Sequence, residues 1–257
     1  MQPYWISEIP PVMTFDLQIG DQRLTASAVM PLLARYQLIP KLAQEIILDQ
    51  AIAAIACTPE ESQTALQQFC EQNKFANLEQ GRTGLAQQGI APEQLESIAL
   101  RGLKLQKFKE ITFGHKLESY FLKRKGALDQ VLYSLLRTQD VSMAQELYFR
   151  IEDNPEQFAE LAKQHSQGPE AQTGGLIGPQ ELSTPHPILA RLLSISQPGQ
   201  LWPPTRVAEW MVIVRLEKFI PAQLDEAMSQ RLMGELFNQW LQEQMTTVKI
   251  VPKQPGN

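Results

Sequence analysis

Histidine and cysteine are scarce in this 257-residue chain, with three of the first and two of the second. No Cys/His spacing suggests a metal site, and neither a metal nor a cofactor is expected. Cys57 and Cys70 both lie in or beside apolar helical patterns. They read as small buried hydrophobes of a reducing compartment, with a single disulfide the other possibility. An excess of positive charge is also missing. The net charge is −5, against a nucleic-acid partner, which needs a basic face. The densest basic cluster, Lys123-Arg124-Lys125, reads as the end of a helix. Long apolar runs are missing too. Ala51 to Cys57 is far too short to span a bilayer, so no membrane insertion is expected. The opening Met1-Gln-Pro-Tyr-Trp has no basic segment or cleavage site of a secretory signal, and a cytoplasmic location is expected.

What is present is ordinary for a folded domain: 43% hydrophobic and 20% charged residues. The length suits one large domain or two. Three prolines make residues 1–13 an irregular or extended arm. Thr14 to Ile19 alternates apolar and polar before Gly20-Asp21, which predicts a short strand or hairpin. Helical spacing follows from Thr25 to about Ile55, broken at Pro40, with Leu42, Ile46 and Ile47 marking the second face. Thr58-Pro59-Glu60-Glu61 is a capping box with proline at the first helical position. Ala91-Pro92 starts a long helix, and Phe113 to Lys125 continues helically to a stop at Gly126.

From Leu128 the texture changes. Gln130 to Arg137 is rich in strand formers, Val141 to Ile151 is helical, and Asn154-Pro155 opens the next helix. That helix, Phe158-Ala-Glu-Leu-Ala-Lys-Gln-His-Ser166, carries Phe158, Leu161 and Ala162 on one face. It runs into Gln172-Thr-Gly-Gly-Leu-Ile-Gly-Pro179, where the glycines permit left-handed backbone and Leu176 to Gly178 reads as a stub of strand. Pro187 to Leu193 is a short helix, Gln197 to Gln200 a turn, and Glu209 to Leu216 a buried strand. A last helix runs to about Met245, with Leu224, Met228, Leu232, Leu236 and Trp240 four apart.

The succession of a helix ending in His-Ser, a glycine loop and a strand stub resembles the parvulin-type peptidyl-prolyl isomerases, whose signature there runs dFAxLAxxyS, loop, GGxLG. The resemblance covers roughly residues 127–220. It implies an α+β fold: a β-α-α-β-α-β-β module at 127–220, inserted in a mostly helical, SurA-like domain. That domain would combine residues 1–126 with a C-terminal helix in 221–257 that packs back on it.

Carried over position by position, the family's polar set is replaced. Its two histidines fall on Ser134 and Met211, a serine or threonine on Ala208, a cysteine or aspartate near Gly168 beside Gln167, and the signature acid on Leu176. Tyr133 and Ser134 are the candidate hydroxyls in place of the lost imidazoles. The apolar proline pocket is implied at Ile177, Leu182, His186, Leu189 and Trp202, with Met211 beside them. His165 reads as a helix-terminal cation and His186 as either a loop residue or a groove residue.

The resemblance implies an isomerase that assists folding or maturation of a proline-containing or unfolded polypeptide, with weak activity. Prolyl rotation needs no nucleophile, since its barrier of roughly 18–20 kcal/mol falls when a site binds the twisted amide and strips water from its carbonyl. The alternative is a non-catalytic peptide-binding chaperone or scaffold on the same frame, and a closed-groove adaptor is a third.

Overall fold

The structure is a computed structural model in which residues 17–251 are described. The expected N-terminal arm and residues 14–16 of the expected first strand lie outside them. Strands β1 (Leu17–Ile19) and β2 (Gln22–Leu24) pair antiparallel across the Gly20-Asp21 turn. Helices α1 (Ala26–Arg35), α2 (Ile39–Ile52), α3 (Pro59–Gln72), α4 (Leu78–Gln87), α5 (Leu95–Phe113) and α6 (Leu117–Leu128) follow. Then come β3 (Gln130–Thr138), α7 (Val141–Asp153), α8 (Phe158–His165), β4 (Leu176–Glu181), α9 (Pro187–Ser194), β5 (Leu201–Val207), β6 (Trp210–Ile220) and α10 (Glu226–Thr247).

The chain divides into two compact units. One combines residues 1–115 with 233–257; the other is residues 116–232, so it interrupts the first in sequence. The boundaries differ from the sequence-derived ones by about a helix, because Phe121 and Leu128 of α6 share a buried cluster with Leu232 of α10.

In the helical unit, the capping box of α3 forms as its sequence dictates: Glu61 N donates to Thr58 Oγ1 at 3.2 Å and Thr58 N to Glu61 Oε2 at 2.8 Å. Pro40 opens α2 rather than ending a helix. The expected α2 face is corrected. Ile47, Leu48 and Ile52 are buried, whereas Leu42 and Ile46 are exposed. The core joins Ile47 and Leu48 to Phe113, Phe237 and Leu241, so the second half of α10 packs on α2 and α5. Helix α4 has no counterpart in the sequence reading. Two glycines and a polar composition hide it, although Asn77 caps it through Gln80 N at 2.9 Å and Gln80 Oε1 accepts from Ala76 N. Helix α6 also runs through Gly126, the expected stop, to Leu128.

The second unit is built on a four-stranded antiparallel sheet of order β4-β3-β6-β5. Alternation gives it two buried faces. Val131, Tyr133 and Leu135 of β3 and Val212, Val214 and Leu216 of β6 point to the α9 side, against Leu189 and Leu193. Leu136 and Ile213 point to the other, against Leu147 and Ile151 of α7 and Phe158 and Leu161 of α8. Both edge strands carry proline, Pro179 in β4 and Pro203-Pro204 in β5, and a residue without N–H blunts an exposed edge.

The glycine run is what closes β4 onto β3. Gly175 has φ +86°, and a Cβ there would stand 2.7 Å from Leu135 O, so backbone is packed against backbone.

Candidate functional site

Arg137 organises the α9 side of the sheet at its β3 end. Its Nε and Nη2 donate to the two carboxylate oxygens of Glu170 at 2.9 and 2.6 Å. Ser166 Oγ donates to Glu170 Oε1 at 2.6 Å and accepts from Arg137 N at 3.1 Å. Gln167 N donates to Arg137 O, so the residues after α8 run along β3. The Glu170 side chain is 1% exposed and that of Arg137 27%. Burial alone would push the Glu170 carboxyl up, but its bonds from Arg137 and Ser166 outweigh that and hold it below the usual range. The guanidinium also lies 5.7 Å from the centre of the Trp210 ring.

Gly168 has no room for a side chain. A Cβ there would overlap Arg137 Nε and Glu170 Oε2. The ion pair therefore fills the position to which the resemblance assigns a cysteine or aspartate. Sequence reasoning missed Arg137 and Glu170. The available signal was one arginine in an otherwise uncharged strand and an acid after Gly168-Pro169.

The two candidate hydroxyls do not converge. Tyr133 faces the α9 side, where its hydroxyl accepts from Gln180 Nε2 at 2.9 Å and burial pushes its pKa up. Ser134, next in the strand, has the opposite parity. Its Oγ donates to Glu217 Oε1 at 2.6 Å, and Glu217 in turn accepts from Arg215 Nε at 2.8 Å. Arg215 Nη1 donates to Pro155 O ahead of α8, at 2.7 Å. Adjacent strand residues cannot serve one amide, so the pairing of Tyr133 with Ser134 is corrected.

Ser134 and Met211, the positions matched to the two histidines, do not meet either. Ser134 pairs with Arg215 and Met211 with Thr138, which leaves them four residues apart along the sheet, about 13 Å at roughly 3.3 Å per residue. Met211 also has the parity of Ile213, away from the implied pocket.

The apolar candidates fare differently. Leu182 and Leu189 are core residues at 5% and 6% exposure, and no ligand reaches them without displacing the core. Ile177 and Trp202 are half-buried against the same cluster, and Trp202 Nε1 donates to Ser196 Oγ at 2.7 Å. Leu176, the position of the signature acid, pairs with Ser134 and so has the opposite parity, at 45% exposure. His186 is exposed and caps α9, its Nδ1 accepting from Ile188 N at 3.3 Å. His165 is the last residue of α8, and Ala208 sits at φ +53° in the β5–β6 turn. The accessible part of this face is thus Ile177, Gln180, Trp202, Trp210 and the edge of Arg137.

A family model for the PPIC-type PPIase domain, the rotamase family, matches residues 136–218. This segment is a PPIC-type peptidyl-prolyl isomerase domain. The match takes in the end of β3 from Leu136, the glycine run, β4, β5 and most of β6, and leaves Tyr133 and Ser134 outside. The peptidylprolyl isomerase PrsA of Bacillus cereus is similar at 17% identity over 93% of this chain and 95% of its own, with a TM-score of 0.51, and shares the fold. PrsA of Bacillus anthracis is 18% identical over 82% of this chain and 100% of its own, TM-score 0.44. A SurA-like chaperone of Campylobacter jejuni is 13% identical over 92% and 99%, TM-score 0.36. No curated protein matches the chain. The parvulin-like module within a helical region is thus the architecture of the chain.

The helical unit has its own concavity. A groove of about 590 Å³ runs between α3 and α5, with Phe69, Ile98 and Leu103 on its walls and Gln68, Gln72 and Gln106 around them. Among the described residues no helix is long and apolar enough to cross a membrane.

Proposed function

We propose that this chain is a polypeptide-binding folding factor whose PPIC-type domain holds proline-containing or unfolded segments and isomerises them weakly. The observation that carries the reading is the Arg137–Glu170–Ser166 network at the place of the family's polar group, with Gly168 leaving no side chain there. Arg137, Glu170 and Ser166, and likewise Tyr133 and Gln180, are bonded to one another within the protein, which favours holding over chemistry. What remains for catalysis is apolar contact with proline at Ile177 and Trp202 and the removal of water from the amide. The α3–α5 groove offers a second concave surface to an extended chain. The unpaired thiols of Cys57 and Cys70 suit a reducing compartment and support a cytoplasmic location.

Two-dimensional exchange NMR on short Xaa-Pro peptides tests both halves in one sample. The expected result is peptide shifts with cis/trans exchange close to the uncatalysed rate, the shifts lost on Ile177→Asp. Exchange accelerated to the level of an efficient isomerase would overturn the weak activity. Absence of any shift would overturn the binding.

A further inference from the structure

We propose that the α3–α5 groove of the helical unit is a proline-independent client site, selective for a short extended apolar segment with a lysine or arginine at one end. The inference deepens the reading of the chain as a polypeptide-binding folding factor and rests on it. The two helices run in opposite directions along the groove. Lys107, one residue past the last groove residue of α5, bonds Glu61 at the start of α3, so Gln106 lies at that end and Ile98 at the other, toward Gln72. From Glu60 to Gln72 the groove is about 18 Å long, at roughly 1.5 Å per helical residue. That is the reach of about five or six residues of extended chain.

The middle of the groove is apolar. Phe69, Ile98 and Leu103 form half-buried walls over a floor of small residues, Ala65, Ala99 and Gly102. A Cβ on Gly102 would meet nothing within 4 Å, so a client can lie close to α5 there. Gln68 and Gln72, one turn apart on α3, each offer a donor and an acceptor to a client's backbone.

One end is acidic. Among the described residues the charged groups lining the groove are Glu60 and Glu61, with no cation beside them. Gln106 at the same end donates to Glu110 at 3.0 Å, which brings a third carboxylate near. Glu61 is already taken, since both its oxygens accept from Lys107 Nζ, at 2.8 and 2.7 Å. Glu60 is exposed and enters no ion pair among the described residues. Three carboxylates against one ammonium leave this end net negative, so a client cation is attracted and a client acid repelled. An apolar segment with a terminal cation matches the groove in length and in charge, the cation lying over Glu60.

The test uses the full-length protein and three dye-labelled peptides without proline: Leu-Ala-Phe-Leu-Ala-Lys-amide and the same sequence ending in Gln or Glu. Fluorescence anisotropy reads their binding. The Lys peptide should bind about tenfold more tightly than the Glu peptide, with the Gln peptide between them, and the difference should fade in roughly 0.5 M salt. Glu60→Gln should lower the preference for Lys over Gln by about threefold and leave the Gln peptide unaffected. Gly102→Leu suits a helix and projects into the groove. It should weaken all three peptides by about tenfold or more without lowering the melting temperature. Equal binding of the Lys and Glu peptides, an unchanged preference in Glu60→Gln, or undiminished binding by Gly102→Leu overturns the proposal. Glu60→Gln alters an exposed side chain and decides the matter even if Gly102→Leu does not fold. The absence of proline keeps this test apart from the isomerase domain. If these peptides fail to bind while Xaa-Pro peptides still shift, the groove proposal falls and the folding-factor reading stands. If neither kind binds, both fall.

Discussion

The two faces of the central sheet carry matching polar devices with different consequences. On the α7–α8 side, Ser134, Glu217 and Arg215 form a chain that ends on Pro155 O, so sheet and helix are tied together. On the α9 side, Arg137, Glu170 and Ser166 form a chain of the same kind, but it sits beside half-exposed Trp210. Both contain a hydroxyl, a carboxylate and an arginine. What separates a fastening from a candidate site is only the covering: two helices on one side, a glycine loop and one short helix on the other. Residue type alone does not identify a site, and the face does.

The strongest way to break the comparison is at the loop. Gly175→Ala places a Cβ on Leu135 O at positive φ and should cost about 3 kcal/mol or more. Gly102→Ala in α5, with open space around it, should instead stabilise by about 1 kcal/mol. Thermal unfolding of the two variants side by side checks both signs.

Next comes the ion pair. Glu170→Leu leaves the guanidinium partly buried and unpaired and should destabilise by roughly 3 kcal/mol. Arg137→Met/Glu170→Met should return most of that loss, and denaturant titration reads the difference. The same carboxylate predicts an acid dependence. Its folded pKa is depressed, so its contribution is fully present above the unfolded-state value of about 4.3 and is lost as pH falls through the lower folded value. Stability of the wild type should therefore fall more steeply below pH 4 than that of the double variant, for which this contribution is gone.

Smaller effects sharpen the faces themselves. Ser134→Ala should cost about 1–2 kcal/mol by stripping Glu217 of a donor, and Tyr133→Phe about 1 kcal/mol by removing the acceptor of Gln180. Neither should alter prolyl exchange measured by NMR. A loss of exchange from both would restore a shared catalytic role that the strand parity denies. The smallest effect is a gain: Ala208→Gly relieves left-handed backbone in the β5–β6 turn and should stabilise by about 1 kcal/mol, again by thermal unfolding.

Thr58 and Glu61 and the Gly20-Asp21 turn were legible because each is a local device, satisfied by neighbours within a few positions, and the Phe158–Gly178 run because its helical spacing and its glycines are local patterns. Helix α4 was not, since its stability comes from packing: Gly81 and Gly84 lie against Phe75 and Leu95, contacts no periodicity announces. The exposure of Leu42 and Ile46 was hidden for the same reason: an apolar helix face does not name the surface it meets.

The sequence by itself determined the order of elements, the strand parity and the glycine conformations, because short-range sterics and hydrogen bonds decide those. Only the tertiary structure decided the site. A one-residue difference in strand position sends a side chain to the opposite face, so matching Ser134 or Met211 to a family position does not say which face it occupies. Nor could spacing show that Arg137 and Glu170, 33 residues apart, close on each other over Gly168. That depends on α8 folding back along β3, and it is this long-range contact that fills the pocket and gives the site its character.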